Sequence, residues 1–227
     1  MNWTLGAAAV FLTLASGAAA DTALLFDCSE GKGQYLHDRS GNGNNGLFGS
    51  TPGLEADDPG WTKVAPSRWA LSFDGVYPCK VTVADGPSLN PTDRLAIAAH
   101  IKRSVAQPGV IVNKDWSVYC LYINMDGMLC FLYRDESNGL HNIDTKCFIP
   151  LERWLEVKVV VDAPRKAIDF HVDGKLVDTK TFVGAGFYQK NSAPLDIGFN
   201  SAQKIYPFSG MLDRLEIQIP KRGAQRL

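Results

Sequence analysis

Hard oxygens recur at alternate positions in one short loop of this chain. Asp38, Ser40, Asn42 and Asn44 are spaced by two, and Gly41 and Gly43 between them allow tight curling. Calcium takes six to eight oxygen ligands, and this spacing aims several inward. The loop is not an EF-hand, because its twelfth position is Gly49 where that motif needs a bidentate glutamate. One carboxylate is little charge for tight binding, so other segments would have to contribute. The same residues also suit a loop in which Asp and Asn satisfy their own backbone through Asx turns. Both readings stay open at the level of sequence.

Aromatic side chains beside amides and carboxylates are the second chemical signal. A sugar ring lays its C–H face on an aromatic ring, while its hydroxyls bond to Asp, Asn and Gln. Trp116 follows the polar run Asn113, Lys114 and Asp115, Tyr119 and Tyr133 lie in or next to an apolar hairpin, and Tyr188 precedes Gln189 and Asn191. Tyr206 reads as a loop residue. Aromatics also fill sandwich cores, and that reading is the stronger one for Tyr119 and Tyr133. Trp61, Trp69 and Trp154 read as structural, although alternation sets Trp154 on the same strand face as Glu156.

Catalytic patterns find little support. No strand carries the E-x-D-x-x-E acids of glycan hydrolysis. Asp57 with Asp58 and Asp135 with Glu136 are adjacent pairs, whose side chains diverge on a strand. His37, His100, His141 and His171 lie in separate segments, and neither a G-x-S-x-G elbow nor a phosphate loop occurs. A hydrolase or lyase site built from distant residues is the alternative from another class, and an adhesive protein-interaction domain is a third.

These residues need a scaffold, and the chain reads as strands throughout. Leu155, Val157, Val159 and Val161 alternate with Glu156 and Lys158; Ile168, Phe170 and Val172 follow, then a turn at Asp173 and Gly174, then a return over 176–182. A second hairpin runs over 118–123, turns at Asp126 and Gly127, and returns over 128–134. Both of its faces are apolar, which suits a sheet covered on both sides. Further strands are expected at 23–28, 69–73, 80–84, 94–102, 109–113, 195–199 and 210–219. No sustained helical stripe occurs. Many short strands between Gly and Pro turns imply an all-β sandwich or barrel in one domain.

Residues 1–20 carry no Lys, Arg, Asp or Glu and end in Ala18, Ala19 and Ala20, so they read as a secretory signal cut before Asp21. No later segment reaches membrane-spanning length. The formal charge of −1, with both signs interspersed, argues against nucleic acid as partner. Five cysteines in an oxidising compartment leave one unpaired at least. Cys120 and Cys130 flank the second hairpin's turn and read equally as a cross-strand disulfide or as buried thiols.

Four stretches in order resemble the laminin G-like domains of the concanavalin A-like lectin/glucanase superfamily. They are the loop from Asp38 to Gly46, the strand from Trp69 to Gly75, the hairpin from Trp154 to Gly174, and the strand from Phe208 to Ile217. Arg68 departs from the pattern, since many such domains have glycine there. The resemblance implies a two-sheet antiparallel jelly-roll sandwich over 21–227 with a structural calcium, to which it adds Asp74 and Asp213 as ligands. It also implies a secreted, non-catalytic module whose partner is carbohydrate or an extracellular protein surface.

Overall fold

The computed structural model describes residues 22–56, 58–76, 78–189 and 192–220, with the side chains of Trp116 and Ser117 excluded. The proposed signal segment therefore lies outside the described residues. Sixteen strands occur among those described. They are β1 (Thr22–Phe26), β2 (Tyr35–Leu36), β3 (Gly46–Phe48), β4 (Gly60–Ala65), β5 (Arg68–Asp74), β6 (Val81–Val83), β7 (Arg94–Arg103) and β8 (Gly109–Lys114). After a one-turn helix, α1 (Asp115–Val118), come β9 (Tyr119–Ile123), β10 (Met128–Arg134), β11 (Leu140–Phe148), β12 (Trp154–Asp162), β13 (Ala167–Val172), β14 (Lys175–Thr181), β15 (Leu195–Ile197) and β16 (Ser209–Gln218).

Two sheets form a sandwich. The first runs β14-β13-β12-β7-β16-β5-β4, and the second β11-β10-β9-β8-β15-β6-β3-β2. The far edge of β16 is shared: β5 pairs its first half and β1 its second. All these pairings are antiparallel, as expected of a jelly roll.

Alternation decides which side chains enter the space between the sheets. From β12, Leu155, Val157, Val159 and Val161 face Leu121, Ile123, Phe131 and Tyr133 of the second sheet within one continuous core. The turn between β13 and β14 uses Asp173 and Gly174, both at positive φ (48° and 73°), which suits a two-residue hairpin. Where the sheets approach at the end of β15, Gly198 has φ 88°, and a Cβ there would sit 2.4 Å from the Phe73 ring. The hairpin β9–β10 is interior to its sheet, because β11 pairs outside it.

Candidate functional site

The register of the second sheet sets two rows of side chains on its outward face, since directly opposed residues share a face. One row runs Leu47, Thr82, Asp196, Asn113, Cys120, Leu132, Asn142. The other runs Val110, Tyr122, Cys130, Asp144. Val110, Cys120, Tyr122, Cys130 and Leu132 form an apolar cluster separate from the main core, with Met128 and Tyr206 packed against it.

Tyr206 comes from the loop 198–208, which returns over this face. Its carbonyl accepts the Val110 N–H at 2.9 Å. Its ring lies nearly parallel to Tyr122, centroids 6.2 Å apart and planes 7° apart. Tyr206 holds φ 57°, a left-handed conformation that is strained for a bulky residue. The Tyr122 hydroxyl donates to Asn142 Oδ1 at 2.7 Å, and the Cys130 thiol to Asp144 Oδ1 at 3.1 Å. Asn142 and Asp144 are themselves exposed.

Further along the first row, Asp196 accepts from Lys80 Nζ at 3.4 Å and Thr82 Oγ1 at 3.3 Å, while Lys80 also reaches Ser201 Oγ at 2.6 Å. Asn113 Oδ1 and Asn200 Nδ2 are each buried and have no hydrogen-bond partner among the described residues. The face therefore combines a stacked aromatic pair with amides, carboxylates and one ammonium.

Of the aromatics singled out in the sequence, Tyr119 and Tyr133 turn the other way. Tyr119 is fully buried and donates to Leu89 O at 3.1 Å. Tyr133 is fully buried between Phe182 (4.5 Å) and His141 (4.9 Å), and its hydroxyl donates to Val183 O. Both are core residues, because their parity matches Leu121 and Phe131; Tyr122, of opposite parity, faces outward. Tyr188 is partly buried, and its N–H donates to Arg134 O at the end of β10. Trp116 lies in α1, which joins the strands carrying Asn113 and Cys120.

The Asp38 loop is tied to β1. Asp38 accepts four hydrogen bonds, from Leu25 N (3.0 Å) and Ser40 N (2.9 Å) at Oδ1 and from Ser40 Oγ (2.7 Å) and Asn44 N (3.0 Å) at Oδ2. Ala23 O takes Ser40 Oγ, Asn42 Nδ2 and Asn44 Nδ2 at 3.2, 3.2 and 2.7 Å. Asn42 Nδ2 also approaches Thr22 O (2.8 Å) and Ser40 Oγ (2.9 Å), giving three acceptors to an amide with two hydrogens.

The two carboxylates expected to join this loop are engaged differently. Asp74 Oδ1 accepts the Val76 N–H, and Asp213 binds Arg68 and His100. Among the described residues no group of three His, Cys, Asp or Glu side chains could hold a metal ion.

No disulfide occurs among the described residues. Cys120 opposes Leu132 and Cys130 opposes Tyr122, so the two are diagonal neighbours. Diagonal pairs lie about 7–8 Å apart, beyond ordinary disulfide spans of at most about 7 Å between Cα atoms. Burial, then the Asp144 carboxylate, pushes the Cys130 thiol up to about 12, and burial raises Cys120 as well.

Comparison with known proteins places the fold. A laminin G family model, described as concanavalin A-like lectin/glucanases superfamily, matches residues 79–220. A search of curated protein sequences gave no match. Among solved structures, the binding domain of Paraclostridial Mosquitocidal Protein 1 superposes with a TM-score of 0.66 at 16% identity, covering 90% of this chain and 50% of that one. A botulinum neurotoxin type C structure, described by cell entry dependent on two ganglioside molecules, gives 0.64 at 17%, covering 90% and 49%. Domain 4 of the extracellular arabinanase AbnA from Geobacillus stearothermophilus, in complex with arabinotriose, gives 0.64 at 16%, covering 90% and 95%. The chain thus spans about half of each toxin chain and nearly all of the arabinanase domain.

Proposed function

The chain belongs to the concanavalin A-like lectin/glucanase superfamily, and from that premise we propose that it is a non-catalytic module recognising carbohydrate on the outward face of its second sheet. The observation that carries this reading is the stacked pair Tyr122 and Tyr206, bounded by the exposed Asn142 and Asp144. Tyr206, partly exposed above the buried Tyr122, offers an aromatic surface, and the bordering amide and carboxylate suit sugar hydroxyls. Trp116 belongs to this reading by its place in α1, and Tyr188 by its tie to Arg134 on β10. The arabinotriose complex of the arabinanase domain supports the ligand class.

Two finer parts belong to the same reading. The Asp38 loop fits a calcium ion in composition: Asp38, Ser40, the amides of Asn42 and Asn44, and the carbonyls of Thr22 and Ala23 converge on one spot. The over-subscribed Asn42 amide fits this arrangement with its oxygen turned inward. Such an ion would staple the loop to β1, without Asp74 or Asp213. Export is the other part, supported by the charge-free segment 1–20 and its A-x-A end.

The deciding experiment is retention of the protein on a panel of insoluble polysaccharides, with calcium and with EDTA, with supernatants assayed for released sugar. Retention without release is expected, and Tyr206→Ala should abolish it while leaving the melting temperature within a few degrees. Released sugar would overturn the non-catalytic reading. Retention unaffected by Tyr206→Ala would move the site off this face.

A further inference from the structure

The outward face of the first sheet carries a second built cluster, around a tryptophan read as structural from the sequence. Leu155 and Val157 of β12 point into the core, so Trp154 and Glu156 point out. Trp154 opposes Lys102 and Glu156 opposes His100 on β7, and on the far side of β7, Arg214 opposes His100. Trp154 is partly exposed.

Its indole is contacted by two side chains. The His100 ring lies parallel to it, centroids 5.0 Å apart and planes 10° apart. The Arg68 guanidinium sits over the same ring at 5.1 Å. His100 Nδ1 and the Arg68 terminal nitrogen are 2.9 Å apart. Groups on opposite faces of an indole would be separated by about 7 Å, twice a van der Waals contact. Arg68 and His100 therefore share one face, and the other face is covered by neither. The Trp154 indole N–H also lacks a hydrogen-bond partner among the described residues.

Asp213 locks this arrangement. It accepts from Arg68 through Oδ2 and meets His100 Nδ1 at 2.6 Å through Oδ1. The register of β16 on β7 shifts between Leu212 and Arg214, so Asp213 sits at the bulge. Bulges re-aim a side chain in this way. Arg68, where the chain departs from the glycine of similar domains, is thus what clamps the tryptophan.

Charge defines the ligand. Arg68 is matched by Asp213, Lys102 by Glu152 at 2.7 Å, and Arg214 by Glu216 at 3.1 Å. Lys158 interacts with both Glu156 and Glu216. No cation of the cluster is left over for an anionic group. We propose that Trp154, with Glu156 and Lys102 beside it, is a second saccharide platform that stacks the apolar face of a neutral sugar ring. This inference rests on the carbohydrate reading of the domain and adds a site on the opposite sheet.

The test is nuclear magnetic resonance of the indole N–H signals in the ¹⁵N-labelled chain, with the Trp154 signal assigned by its loss in Trp154→Phe. The probes are arabinotriose, xylotriose and cellotriose as neutral sugars and sialyllactose as an anionic one. A saturable shift of the Trp154 signal with a neutral probe, retained in Tyr206→Ala, is expected. Read by titration calorimetry in the Tyr206→Ala background, Trp154→Ala should weaken neutral-sugar binding by about tenfold or more, and Trp154→Phe should recover part of it. Neutral-polysaccharide retention that is lost in Tyr206→Ala, with an unmoved Trp154 signal, would overturn this site and leave the first intact. A Trp154 shift with sialyllactose alone would overturn the neutral ligand class, and a silent Trp154 signal with every probe would overturn this site.

Discussion

At the scale of single residues, the Tyr206 and Asp38 positions make separable predictions. Tyr206 supplies one ring of a stacked pair from a strained, left-handed backbone. Tyr206→Gly removes the same ring as Tyr206→Ala but relieves the backbone strain, about 1 kcal/mol or more, so it should melt higher than Tyr206→Ala while both lose sugar retention, which thermal melts and the polysaccharide assay would show together. Asp38→Ala removes the acceptor of four hydrogen bonds, two of them from backbone N–H groups outside its own turn. A loss of about 2 kcal/mol or more is expected in urea melts, because bonds to a carboxylate contribute about 1.5–3 kcal/mol each and part is recovered by water. If the loop holds calcium, EDTA lowers the melting temperature of the wild type and leaves Asp38→Ala unmoved. An EDTA-insensitive wild type would leave the hydrogen bonds as the sole function of Asp38.

At the scale of elements, the packing between sheets is most sensitive where β15 ends. Gly198→Ala places a methyl group against the Phe73 ring in a conformation that disfavours any Cβ, and a loss of about 2 kcal/mol is expected. The strands that enclose such contacts were legible in the sequence. The expected strand at 128–134 coincides with β10, the alternation from Leu155 to Val161 falls inside β12, and most others differ by a residue or two at their ends. The strands β2, β3, β4 and β11 were not anticipated. β2, β4 and β11 are edge strands with one side in solvent, and β3 is three residues long next to β2. Leu140–Phe148 illustrates the cause: its only fully buried residue is a threonine, so the alternation of polarity that marks a strand is nearly absent. The site was half legible for a related reason. Both faces of β9–β10 are apolar, so parity separated Tyr119 from Tyr122 but gave no direction. Only the second sheet's register and the return of the loop 198–208 show that Tyr122 faces out. For Trp154 the alternation did point outward, toward Glu156; its partners Arg68 and Asp213 come from strands far away in the chain.

At the scale of the whole molecule, acid stability should depend on two carboxylates that close loops. Burial would raise the Asp85 carboxyl, but the Lys114 ammonium, the Asn90 amide and a backbone N–H more than offset it and hold it below its ordinary value. Asp135 is likewise lowered against burial by His141 and two backbone N–H groups. A folded pKa below the unfolded value of about 4 means a contribution complete at neutral pH. It is lost as the pH falls through the folded values. Lys114 is fully buried and retains the Ala193 carbonyl as an acceptor when Asp85, which is exposed, is replaced by Asn. The variant should lose about 1 kcal/mol at pH 7, and its stability curve should be flatter on the acid side than that of the wild type. Equal losses at pH 7 and in strong acid would contradict this assignment.

The diagonal placement of Cys120 and Cys130 also bears on how the chain reaches its fold. A slip of β10 along β9 by two residues leaves every side chain on its own face, so the apolar pattern does not forbid it. That slip would set Cys120 directly opposite Cys130, within range of a bond. In an oxidising compartment the native thiols are shielded once the hairpin is in register, whereas the slipped hairpin would be sealed covalently. Order of events then matters: pairing must settle before oxidation arrives. Refolding under an oxidising glutathione buffer should trap a fraction of molecules lacking two free thiols, and Cys120→Ala should recover that fraction as native protein.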